Sequence, residues 1–335
     1  MSKEKVKGQG MPLGLRKLIH SRELVPFVLL IAVIIVCVSL SESFRDMTYL
    51  MKTLSRYIEL AMATLVLTMI VTAGMIDLSV PSVMCCSATL AAVCFHHGVP
   101  MGVAIVIGLI VGMVCGIFNG ILIAHVGLPA MIVTIGTQNV FRGIAQIFIG
   151  DQSLGKFPDW FNSWEKIALF RFGTTGYVGV TILIFVLLAI FFYLLLHRTS
   201  YGRKVFAIGA NERAAIYSGV NTKSIKMSLF VISGFVSGFA GILTMSRLLL
   251  VRYDMNQNTE VDTVVMVLLG GADINGGRGS MIGTFIAIIM VFLLKTGLIV
   301  AGVTADQQMF VMGLLLLVSV IIPNIKTLIQ AQKDK

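Results

Sequence analysis

Charge is what this sequence has least of. Only 13% of its 335 residues are Asp, Glu, Lys or Arg, while 57% are hydrophobic, a balance that excludes an ordinary soluble domain. Acids are scarcer than bases, 16 against 26. The resulting net charge of +10 does not mark a nucleic-acid binder, because the bases lie in tails and loops beside apolar runs rather than on a soluble face. Cysteine is sparse too: Cys37, Cys85, Cys86, Cys94 and Cys115 fall in or against apolar runs without metal-ligand spacing, so no disulfide and no metal site is expected. There is no G-x-x-x-x-G-K-[ST], no H-E-x-x-H and no G-x-S-x-G. With no nucleophile-base pair, an intramembrane enzyme is disfavoured and no catalytic residue or resident cofactor is expected. The apolar runs also lack the mid-membrane carboxylate chain that proton-coupled carriers use. A transporter with neither ATP site nor proton relay is a passive pore or is driven by another protein.

What the chain has in abundance is apolar length. Spanning about 30 Å of hydrocarbon takes about 20 apolar residues as helix, fewer where protein shields the ends. On that measure spans fall near 24–40, 58–76, 82–97, 101–124, 130–149, 176–196, 227–248, 262–272, 281–300 and 306–323. The first follows a basic tail, but its length and the want of a small-residue cleavage site predict an uncleaved helix rather than a signal peptide. Ten spans put both termini on one side. With the termini inside, inner segments hold sixteen Lys and Arg and outer segments seven, which is the positive-inside asymmetry. The expected fold is an all-α polytopic membrane protein, N-in and C-in. It divides into a cytoplasmic basic tail at 1–23, a transmembrane domain at 24–323 and a cytoplasmic tail at 324–335.

Within this frame, His197 to Lys226 is a polar island between two apolar runs, with six bases against one acid, Glu212. Asn211 is suited to cap a short helix over Glu212 to Ser218, and Gly219 to stop it. That makes a cytoplasmic handle between spans. Two spans are abnormal. The eighth has about ten apolar residues before Gly270-Gly271, and the second ends in Gly74-Met75-Ile76-Asp77, the pattern of discontinuous transporter helices. GMIDLS and GGADIN align Gly74 with Gly270 and Asp77 with Asp273, and both aspartates are expected to cap backbone amides.

Gly108, Gly112, Gly116 and Gly120 make a bare stripe on the fourth span, and Gly234, Gly238 and Gly241 another on the seventh; such stripes let helix backbones approach closely in lipid. Asn119 is read as a helix–helix hydrogen bond, His96 and His97 as solvated, and Lys295 as snorkelling to the outer surface. On the fifth span Thr134, Gln138 and Arg142 share a face, with Thr137 and Asn139 beside them. An arginine at helix centre costs about 2.5 to 3.5 kcal/mol on insertion scales, so it should face protein or water. The face is read either as a polar translocation path or, for Arg142, as a brace locked to backbone carbonyls.

Five stretches carry a resemblance: GMIDLSVPSV at 74–83, GIFNGILI at 116–123, LPAMIVTIGTQNVFRG at 128–143, YGRKVFAIGANERAAIYSGV at 201–220 and LLGGADINGGRGSMIGT at 268–284. Together they resemble the membrane subunit of bacterial ABC importers for ribose-type sugars, a family that also serves rhamnose, galactose, arabinose, xylose and the furanosyl signal autoinducer-2. GKFPDWF and HRTSYGRKVF look closest to the autoinducer-2 and rhamnose branches. The resemblance implies ten helices in the cobalamin-importer-like arrangement, placed in the bacterial inner membrane. It implies a second permease subunit, a periplasmic binding protein and a cytoplasmic ATPase that binds the ATP. Gly209, Asn211, Glu212, Ala214, Ser218 and Gly219 match the family's coupling segment. The chain departs in GMIDLSVPS, where the family has a second glycine after the first and glycine in place of Pro81. The competing reading is a self-sufficient secondary transporter or channel for a small polar solute.

Overall fold

The structure is a computed structural model that describes residues 24–333 apart from 163, 165–166 and 173–175; the basic tail expected at 1–23 lies outside the described residues. In chain order the helices are α1 (Leu24–Leu40), α2 (Met47–Leu54), α3 (Ile58–Thr72), α4 (Val80–His96), α5 (Met101–Gly120, continued as a π turn over Ile121–His125), α6 (Ala130–Ile149) and the short α7 (Asp159–Asn162). They continue with α8 (Val180–Arg198), α9 (Ser200–Ala210), α10 (Glu212–Tyr217), α11 (Thr222–Leu248), α12 (Glu260–Leu269), α13 (Met281–Val300) and α14 (Ala305–Lys333). Two small antiparallel pairs lie in the loops: β1 (Leu154–Gly155) with β4 (Leu250–Val251), and β2 (Ala168–Phe172) with β3 (Gly176–Gly179).

Each of the ten expected spans contains a helix, and the chain is a multi-pass membrane protein. Four helices, over Met101–His125, Val180–Arg198, Thr222–Leu248 and Met281–Val300, are long and apolar enough to cross a bilayer alone. The others are shorter, and packing explains how they can be: every residue of α3 is buried, so neighbouring helices rather than lipid surround its ends. Helix starts follow proline, which presets the helical φ: Pro100 and Pro129 precede α5 and α6, and Pro81 lies in the first turn of α4. At the other end of the chain, α14 runs on through the segment expected as a tail, where Ile325, Leu328 and Ile329 continue the helical spacing.

The centre is α11, which packs against α3, α4 and α5. Its glycine stripe meets that of α5 as the spacing predicts. A Cβ on Gly112 would stand 2.5 Å from the Gly234 carbonyl oxygen, and one on Gly116 would stand 2.3 Å from that of Phe230. Gly241 serves α4 instead, with the Met84 carbonyl 2.2 Å from its absent Cβ. Buried hydroxyls are satisfied within α3: Thr64, Thr68 and Thr72 donate to the carbonyls of Leu60, Thr64 and Thr68 at 2.9, 3.0 and 2.6 Å. Across the interface, Thr68 Oγ1 lies 3.1 Å from Thr284 Oγ1.

Candidate coupling junction and polar face

The two abnormal spans end in the same backbone motif. After α3, Gly74 has φ +80°, its amide reaches the Val71 carbonyl, and the Met75 amide reaches Ile70. After α12, Gly271 has φ +90°, its amide reaches Leu268, and the Ala272 amide reaches Val267. Both are left-handed helix caps that glycine makes without strain. Backbone geometry therefore pairs Gly74 with Gly271, one residue away from the alignment with Gly270 and of Asp77 with Asp273. Gly270 has another use: a Cβ there would lie 2.5 Å from the Cα of Thr284, so it lets α12 close on α13.

Both aspartates turn the chain as expected. Asp77 Oδ1 accepts from the Ser79 amide at 2.9 Å and from its hydroxyl at 2.6 Å, and Asp273 Oδ1 accepts from the Asn275 amide at 3.0 Å. Asp77, buried, also accepts from Ser233 of α11 at 2.9 Å. Asn119 completes the chain by donating to Ser79 Oγ at 2.9 Å, the interhelical bond expected of it.

The handle is more structured than the sequence suggested. Thr199 caps an unforeseen helix, α9, by accepting from the Gly202 amide at 3.3 Å. Asn211 then caps α10 through the Ala214 amide at 3.0 Å, Ser218 Oγ bonds back to the Ala214 carbonyl at 2.9 Å, and Gly219 ends the turn at φ +80°. Two ties fix the handle to α11: Lys226 with Glu212 at 2.5 Å, and Tyr201 with the Ser228 hydroxyl at 2.8 Å. Burial pushes the Tyr201 phenol above its ordinary range, against a smaller lowering by Ser228. Outward, α10 presents Ile216 and Tyr217, the latter 91% exposed. These two were passed over; an apolar pair inside a basic island was the available signal.

The handle and both breaks meet. Gly209, on α9, sits where a Cβ would come within 1.9 Å of the Thr72 carbonyl oxygen and 2.3 Å of the Gly277 amide nitrogen. That amide donates to the same carbonyl at 2.8 Å. A Cβ on Gly276 would lie 2.6 Å from the Cα of Gly74 and 3.0 Å from that of Gly209. Four glycine backbones, Gly74, Gly209, Gly276 and Gly277, thus interlock the end of α3, the break after α12 and the handle. Gly209, Gly74 and the region of Gly271 and Asp273 converge, whereas Asn211, Ala214, Ser218 and Gly219 stand on the exposed side.

On α6, Thr134, Gln138 and Arg142 face protein. Thr134 donates to the Ile76 carbonyl at 3.3 Å and Thr137 to the Thr134 carbonyl at 3.4 Å, both buried. Gln138 Nε2 donates to Glu260 Oε1 of α12 at 2.9 Å. Arg142 Nη1 donates to the carbonyls of Tyr253 and Met255 at 2.8 and 3.3 Å, so it braces the loop between α11 and α12. Asn139 is exposed and bonds only within its helix, to the Ile135 carbonyl at 3.2 Å.

One expectation changes. Lys295 does not snorkel: it pairs with Asp262 of α12, whose side chain is 3% exposed, because Asp262 offers a carboxylate closer than the surface. His96 is exposed as expected, and its Nε2 donates to the Gly155 carbonyl at 2.9 Å. Reading the sequence also missed the pair of Arg247 with buried Glu59 at 2.8 Å, which joins α11 to α3.

Comparison with known proteins agrees with this architecture. Residues 49–320 match the family described as branched-chain amino acid transport system, permease component. The chain is 31% identical over 308 residues to the ribose import permease protein of Bacillus subtilis (strain 168), covering 91% of this chain and 94% of that protein. It is 32% identical over 305 residues to the autoinducer 2 import system permease protein of Escherichia coli (strain K12), covering 89% and 91%, and equally to that of Shigella flexneri. No solved structure matches the chain.

Proposed function

This chain belongs to the family of branched-chain amino acid transport system permease components, and on that premise we propose that it is the pore-forming subunit of an ATP-driven ABC importer. Its cargo is a monosaccharide or sugar-like signal of the ribose, rhamnose or autoinducer-2 class, in keeping with the names its relatives carry. It works by alternating access in the bacterial inner membrane, with ten spans in the cobalamin-importer-like arrangement, both termini inside, and no covalent chemistry. A second permease subunit, identical or different, completes the pore. A periplasmic binding protein delivers the cargo, and a cytoplasmic ATPase binds and hydrolyses the ATP.

The observation that carries this reading is the contact of the handle with both helix breaks at Gly209. A push on α9 and α10 from the cytoplasm acts directly on the ends of α3 and α12, with Thr72 and Gly277 as the first atoms moved. Helices α3 and α12 lead outward to Glu59, Asp262 and the Glu260–Gln138 bond with α6. Thr134, Thr137, Gln138, Asn139 and Arg142 form the face along which cargo passes, and Gly209, Asn211, Glu212, Ala214, Ser218 and Gly219 transmit the stroke.

The test is ATP hydrolysis in liposomes, with this subunit co-expressed beside its neighbouring ATPase and candidate permease partner. Ribose, rhamnose and autoinducer-2 are offered in turn with the cognate binding protein. Stimulation by one of them is the expected result. Failure to form any complex with the ATPase would overturn the reading in favour of a self-sufficient transporter.

A further inference from the structure

The face of α6 that meets α12 holds two unanswered groups. Gln138 satisfies one carboxylate oxygen of Glu260, and one guanidinium nitrogen of Arg142 is satisfied by the Tyr253 and Met255 carbonyls. Arg142 Nη2, a donor, and Glu260 Oε2, an acceptor, are both buried and have no hydrogen-bond partner. Gln138 and Arg142 are four residues apart, about 6 Å along the axis. Both free atoms thus belong to groups held by α6, Glu260 through Gln138 and Arg142 by its own place on the helix, and they do not pair with each other. Buried polar groups left like this carry the desolvation penalty that folded chains normally relieve.

Hydroxyls suit both. A hydroxyl accepts from Nη2 with a lone pair and donates its proton to Oε2, and two hydroxyls on adjacent carbons do so across a wider gap. The same side of the helix runs out to the surface. Gln146 follows Arg142 by four residues, Asn139 lies beside it on the helical circuit, and both are exposed. Gly136 and Gly143 leave open space next to them, with no atom near either absent Cβ.

We propose that this is a hydroxyl-reading subsite for a small neutral polyol, in which Glu260 Oε2 accepts, Arg142 Nη2 donates, and Asn139 with Gln146 forms the rim. It deepens the permease reading, on which it rests for the choice of a sugar as ligand. A resident water satisfies the same two atoms, and displacement of that water by a sugar hydroxyl is what makes the place a subsite.

The experiment uses the full chain in lipid nanodiscs, carrying Asn139→Cys as a reporter at the rim and the unaltered chain as background. Alkylation by a maleimide is timed with and without D-ribose. The sugar is expected to slow alkylation at 139. Adding Glu260→Gln keeps an oxygen for Gln138 but replaces the free acceptor by an amide donor. This change is expected to leave the sugar-free alkylation rate unaltered and to raise the ribose concentration for half-protection about tenfold or more, the size of one hydrogen bond to a charged group. Equal protection with and without Glu260→Gln overturns the assignment, and no protection at all means a water only. ATP-driven uptake by the assembled importer, measured in parallel, separates the two readings. Uptake without protection removes the subsite and leaves the permease, while protection without uptake of any sugar does the reverse.

Discussion

Single residues carry the charges that a bilayer penalises, and four of them are paired across helices. Asp262, in the first turn of α12, meets Lys295 of α13, and Glu59, in the first turn of α3, meets Arg247 in the last turn of α11. All four side chains are at most 17% exposed. Such a pair adds little net stability, since desolvation offsets much of the attraction, but losing one member strands the other. Asp262→Ala is therefore expected to destabilise the chain by about 3–5 kcal/mol, and the double change Asp262→Leu with Lys295→Met to restore stability or exceed it. Thermal denaturation of the three proteins in one detergent decides this, and an unaltered midpoint in Asp262→Ala would show that Lys295 reaches the surface after all. From sequence, Lys295 stood alone because its partner is 33 positions away on a helix too short to be read as a full span. Snorkelling was the local answer to a non-local question.

Helices here are placed by what they lack. The contact of α5 with α11 is backbone on backbone at Gly112, Gly116 and Gly234, so a methyl group has nowhere to go. Gly116→Ala puts a carbon 2.3 Å from the Phe230 carbonyl oxygen, and the helices must separate along their central contact. Loss of most folded protein on size-exclusion chromatography is the expected outcome. By contrast Gly136→Ala, with open space around it, is expected to fold as the parent does and to gain a few tenths of a kcal/mol to about 1 from the better helix former. This scale was the most legible in the sequence. Apolar length located a helix in each of the ten expected spans, glycines at four-residue spacing announced the α5–α11 seam, and Asn211 with Gly219 bounded α10 correctly. The misreadings share one cause, that local pattern does not report close approach. Gly270 and Gly271 look interchangeable in sequence, yet one packs against Thr284 and the other turns the chain, which shifted the register of the two breaks by one. Helix α9 was missed because its stripe of Val205 and Ile208 is short and faces α3 and α11 through a basic surface. For the candidate site, spacing grouped Thr134, Gln138 and Arg142, but Glu260, which Gln138 meets, lies more than a hundred residues away.

At the scale of the molecule, the question is whether the handle moves the breaks or merely rests on them. The geometry gives the two cases different signatures. Gly209 touches Thr72 and Gly277 through backbone alone, so Gly209→Ala wedges α9 away from both breaks while leaving the exposed surface of α10 as it was. Glu212→Lys does the opposite. It removes the 2.5 Å tie to Lys226 and reverses charge on the exposed side of the handle, but it touches neither break. Because Glu212 is 43% exposed in its side chain, its loss is worth about 1 kcal/mol or less to the fold. If the handle transmits a stroke, Gly209→Ala retains the ATPase on affinity purification yet fails to take up cargo. Glu212→Lys, inserted normally, weakens or loses the ATPase itself. Gly302→Ala, outside the handle, is the control: its φ of +77° makes alanine strained by about 1–2 kcal/mol, but no neighbour is displaced. Uptake near that of the parent is expected there. Copurification and uptake measured together on the three proteins locate the break in the chain of transmission. Uptake preserved in Gly209→Ala would mean that the interlocked glycines are packing alone and that force enters the membrane elsewhere.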